Sequence, residues 1–119
     1  MKIYSADTWT LEELREQISD AGRRTLLVPP AATKQAVLEV FGQVLDFPEY
    51  YGVNLDALND SLHDYADALS EDDGGPVTMI WQVPAAYRTD RSFGVVCEIL
   101  QDAERYAGRD LKVIAVFEN

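Results

Sequence analysis

The sequence predicts an α/β fold, on two observations. Three short apolar runs, Thr25–Val28, Val77–Trp81 and Leu111–Phe117, have the length and composition of buried strands. Between them lie longer stretches whose apolar residues recur at helical spacing. Strands that alternate with helices are joined in parallel by right-handed crossovers. The expected architecture is therefore a three-stranded parallel sheet covered by helices, with an extra N-terminal helix. At 119 residues the chain fits a single domain, 1–119, able to bury a core without staples.

Taken in order, Lys2 to Ser5 offers too short a run to count as more than a guess at an edge strand. Thr10-Leu-Glu-Glu13 is a capping box, and Trp9 and Leu14 have the spacing of a hydrophobic staple across it. Leu11, Leu14 and Ile18 then form one stripe, with Gly22 as a stop. Arg24 to Val28 reads as the first strand, ended by Pro29-Pro30. A helix over Ala36 to Leu45 turns Val37, Leu38, Phe41, Val44 and Leu45 inward.

The next helix spans about Asn54 to Leu69, capped by Asn54. Leu55, Leu58, Leu62, Ala66 and Leu69 make its core stripe, joined by Tyr65. The turn Glu71-Asp-Asp-Gly-Gly-Pro76 leads into the second strand, and Val83 to Asp90 reads as a loop with room for a short helix. Phe93, Val96, Ile99, Leu100, Ala103 and Tyr106 stripe the last helix, which Gly108 closes before the final strand.

Hydrophobic residues make up 47 % of the chain, which argues against disorder. The N-terminus lacks the apolar core of a signal peptide, no apolar run approaches the ~18 residues of a membrane span, and Cys97 is alone. These features point to the cytoplasm, with no disulfide and no membrane partner. The net charge of −11 should repel nucleic acid as well.

Charge distribution says more than total charge. From Gln35 to Tyr87 there are ten carboxylates and no Lys or Arg. Asp56, Asp60 and Asp64 recur every four residues, and with Asp67 they fall on the face opposite the core stripe. Like charges at that spacing cost roughly 0.2–0.5 kcal/mol per pair. A solvated, solubilising face is one reading; a face built for a basic partner is the other.

Catalytic chemistry is poorly supported. His63 is the only histidine, and a metal or acid–base site with Asp56 and Asp60 would lack a second histidine or a ligand cluster. A solvated flank is the better account of it. There is no phosphate-binding glycine loop, and Cys97, between Val96 and Ile99, reads as a small buried thiol. No catalytic residue, cofactor or metal is expected.

Tyr50-Tyr51-Gly52 places two aromatic rings directly before the acidic helix; one reading packs the rings under the loop, with Gly52 turning at positive φ, and the other leaves one ring exposed beside the carboxylates, the composition of a protein-binding hot spot. The whole stretch FPEYYGVNLDALND, Phe47 to Asp60, closely resembles the signature of the barstar family of ribonuclease inhibitors. The order of elements from about Arg24 to Glu118 is similar to theirs, which divides the chain into an N-terminal extension, 1–23, and a family-like core, 24–118. The resemblance implies an inhibitor that forms a 1:1 complex with a basic, extracellular-type, guanyl-specific ribonuclease, is monomeric when free, and catalyses nothing.

By position, the resemblance implies that Tyr50 stacks on the nuclease's catalytic histidine. Gly52, Val53 and Asn54 shape the loop-to-helix junction, and Asp56 meets a guanidinium at the active-site rim. Asp60 takes the substrate-phosphate position, flanked by Asn59 and Asp64, and Asp102 or Glu104 supplies an acid from the last helix. Asn59, Asp64 and Tyr65 stand where barstar itself has tryptophan, glycine and tryptophan. The alternative functions are an immunity protein of a toxin–antitoxin pair, or an acidic interaction domain for a basic partner that is not a ribonuclease.

Overall fold

The computed structural model describes residues 1–47 and 53–119. In chain order the elements are β1 (Lys2–Ser5), α1 (Leu11–Asp20), β2 (Arg24–Val28), α2 (Lys34–Val44), α3 (Leu55–Glu71), β3 (Val77–Pro84), α4 (Ala85–Arg88), α5 (Phe93–Ala107), a 3₁₀ turn (Gly108–Asp110) and β4 (Leu111–Glu118).

Among the described residues the sheet has four strands, not three, in the order β1-β4-β3-β2. All neighbours are parallel, with Thr25 opposite Thr78, Trp81 opposite Ala115 and Ile3 also opposite Ala115. The three expected strands are therefore present and parallel. The expectation of three strands missed β1, for a physical reason. Its residues are largely exposed, and it is held by backbone pairing to β4, extended by the Ala6 N–H to the Phe117 carbonyl at 3.0 Å. Pairing of that kind leaves no hydrophobic pattern to read.

Side chains alternate along each strand, so the two sheet faces carry separate cores. One face gathers Met79, Trp81, Val83, Leu111 and Val113 with Leu38, Phe41, Leu58, Leu62 and Leu100 of the α2, α3 and α5 helices. The other packs Ile80 and Val116 against Leu14 and Ile18 of α1. Trp9 joins that second cluster, as the staple requires, and the capping box forms, with Glu13 N–H to Thr10 Oγ1 at 3.1 Å and Thr10 N–H to Glu13 Oε1 at 3.2 Å. Gly22, at φ 76°, turns the chain after α1. Arg23 then crosses to the sheet, its guanidinium bonding Thr78 Oγ1 and the carbonyls of Val77 and Arg109.

Other boundaries move for local reasons. The α2 helix starts at Lys34 because Thr33 caps it through the Ala36 N–H at 3.1 Å. β3 runs on to Pro84, since Val83 is buried and Pro84 still pairs opposite Glu118. The expected loop after it contains α4, whose Tyr87 hydroxyl meets Ser92 Oγ at 2.6 Å. No helix among the described residues is long and apolar enough to cross a membrane.

Candidate functional site

The α3 helix carries the acidic face. Asn54 starts it, with Oδ1 accepting the Ala57 N–H at 2.8 Å. Just before it, Val53 takes a positive φ of 45°, a left-handed conformation that a β-branched residue adopts only at a cost of order 1–3 kcal/mol. Tyr50 and Gly52, the other expected residues of this junction, lie outside the described residues.

Leu58, Leu62, Ala66 and Leu69 are buried beneath α3, so Asp56, Asp60, Asp64 and Asp67 are left exposed on its outer side. Asn59 and His63 are half-buried on the flank. His63 donates from Nδ1 to the Asn59 carbonyl at 2.8 Å and packs its ring 4.6 Å from that of Tyr106 on α5. Asp64 borders a cavity of about 210 Å³ between α3 and the end of α2, beside Phe47. The expected residues that are described thus form one continuous strip, from the α2 side of the helix to the α5 side.

Electrostatically the strip is uncompensated. Among the described residues no Lys or Arg lies within ion-pair distance of Asp56, Asp60 or Asp64. Arg24 reaches α3 only beyond its C-terminal end, bonding Asp72 at 3.2 Å. Asp67 is bonded by a neutral donor, the Tyr106 hydroxyl, at 2.5 Å. An arrangement like this offers several carboxylates to an incoming cluster of cations.

The last helix separates its two candidate acids. Glu104 turns inward, accepting the Val113 N–H at 2.7 Å and pairing with the N-terminal ammonium. Asp102 stays exposed and pairs with Arg105. Tyr106 was expected in the core stripe and is instead 54 % exposed. The sequence hid this because a stripe of helical period does not reveal that Tyr106 leans on Asp67 and His63 of α3.

Among the described residues no group of three His, Cys, Asp or Glu side chains is placed to hold a metal ion. The Cys97 thiol is half-buried, and burial pushes its pKa up, away from the thiolate a nucleophile needs. A cavity of about 490 Å³ lies under α1, on the far side of the sheet from the acidic strip.

Compared with models of protein families, residues 23–118 match the one described as Barstar (barnase inhibitor). No curated protein matches the chain.

Proposed function

The chain belongs to the barstar family of barnase inhibitors, whose members are inhibitors and not enzymes, and from this premise we propose that it inhibits a basic, guanyl-specific ribonuclease by plugging the active site with α3. The observation that carries this reading is the exposed line of Asp56, Asp60 and Asp64, with no described base in ion-pair reach.

In this reading the carboxylates imitate substrate phosphates. A ribonuclease holds its substrate with guanidinium, ammonium and imidazolium groups, and carboxylates at phosphate positions meet the same donors. Asp60 occupies the central phosphate position, Asp56 the rim, and Asn59 and Asp64 the flanks. Tyr50, Gly52, Val53 and Asn54 form the adjoining loop-to-helix contact. Of the two candidate acids on α5, Asp102 is the exposed one, since Glu104 is engaged with Val113. Absence of bases prevents internal neutralisation; repulsion among the acids is the cost, relieved when cations arrive.

The test is inhibition of guanyl-specific ribonuclease activity on RNA by the purified protein, with barnase among the enzymes tried. Stoichiometric 1:1 inhibition that weakens as salt rises is the expected result. Failure to bind any enzyme of this class would remove the reading.

A further inference from the structure

Among the described residues, Tyr106 is one of three large apolar side chains left exposed, yet it is fixed at both ends. Its hydroxyl donates to Asp67 Oδ1 at 2.5 Å, and its ring tilts at 53° against His63 with centroids 4.6 Å apart. His63 is itself tied to the Asn59 carbonyl at 2.8 Å. The Asp67 bond also pushes the Tyr106 phenol up in pKa, which keeps the hydroxyl protonated as the donor. A rigid, half-open aromatic ring therefore stands beside the acidic strip, joined to it through Asn59, His63 and Asp67.

A tyrosine in this condition has what a binding anchor needs. Little side-chain freedom remains to be lost on association. The open ring face carries negative quadrupole density, and Asp64 and Asp67 add negative potential around it. Such a surface favours a cation, a guanidinium above all.

We infer that Tyr106 is an aromatic anchor which carries the binding face of α3 across to α5 and receives an Arg or Lys side chain of the basic ribonuclease on its open ring. This rests on the proposed function and adds to it a residue outside the acidic helix.

A role confined to helix packing makes a different prediction, since it would change stability and leave affinity alone. Tyr106→Leu keeps an apolar side chain and removes the ring; Tyr106→Phe keeps the ring and removes the hydroxyl. Dissociation kinetics with barnase and other guanyl-specific ribonucleases, at a temperature where circular dichroism shows every variant folded, separate the two. The expected result is a Tyr106→Leu affinity about tenfold lower, mostly through faster dissociation, and a Tyr106→Phe affinity within about threefold of the parent. Unchanged affinity in Tyr106→Leu, with Asp60→Ala still severely weakened, would overturn this inference and leave the proposed function standing. A parent protein that binds none of these enzymes would remove both.

Discussion

Asp72 accepts a hydrogen bond from Arg24 at 3.2 Å, one full helix length from Asp56. The base thus serves the exit of α3 and leaves the acidic strip alone. Gly74 shares this corner so closely that a Cβ there would come within 2.5 Å of Arg24 Nη1. The Gly74 N–H, and then Arg24, hold the Asp72 carboxyl below the usual carboxylate range.

Acid stability follows from this corner and from Asp90. Asp90 is likewise held low, first by the Ser92 N–H at 2.9 Å and then by the Ser92 hydroxyl at 2.7 Å. A carboxyl whose folded pKa is depressed stabilises the fold above its unfolded value, about 3.9, and loses that contribution as pH falls through the folded value. Urea midpoints measured from pH 5 to pH 2 should fall less steeply in the Asp72→Asn, Asp90→Asn double variant than in the parent. Parallel curves would contradict the assignment.

Relief of repulsion should be measurable in the free protein. Asp64→Lys places a cation four residues after Asp60 on an exposed face and should raise stability by tenths to about 1 kcal/mol. Asp56→Asn should do the same while weakening inhibition. Thermal melts of the two variants decide this, and a neutral or lower melting temperature in both would count against it.

The two faces of the sheet should separate stability from binding. Leu14 is 1 % exposed under α1, on the side opposite α3. Leu14→Ala should cost about 2–5 kcal/mol, with inhibition per folded molecule unchanged. Denaturant unfolding alongside active-site titration checks both halves.

Much of this was legible in the sequence because it rests on period and capping. The stripe of Leu58, Leu62 and Leu69, the Thr10–Glu13 box and the β-branched runs each specify local structure without tertiary help. What was missed depends on neighbours. β1 is made by pairing to β4, and the exposure of Tyr106 by the way α5 meets α3. The acid line was visible as a spacing, but its isolation from every described base required knowing that Arg24 turns to Asp72.

The central claim is that Asp60 fills a phosphate position while Glu71, at the far end of α3, only steers encounter. Stopped-flow association and dissociation of Asp60→Ala and Glu71→Ala with a cognate ribonuclease test it directly. Truncating one member of a desolvated charge cluster costs ~2–5 kcal/mol or more, expressed chiefly in dissociation; that range was established on complexes of this family and is carried over with it. Glu71, exposed at the C-terminal end of the helix, should change only the association rate, slightly, and reduce its salt dependence. The account predicts a large rise in dissociation rate for Asp60→Ala alone. Equal losses in the two variants, or an Asp60→Ala effect confined to association, would contradict it.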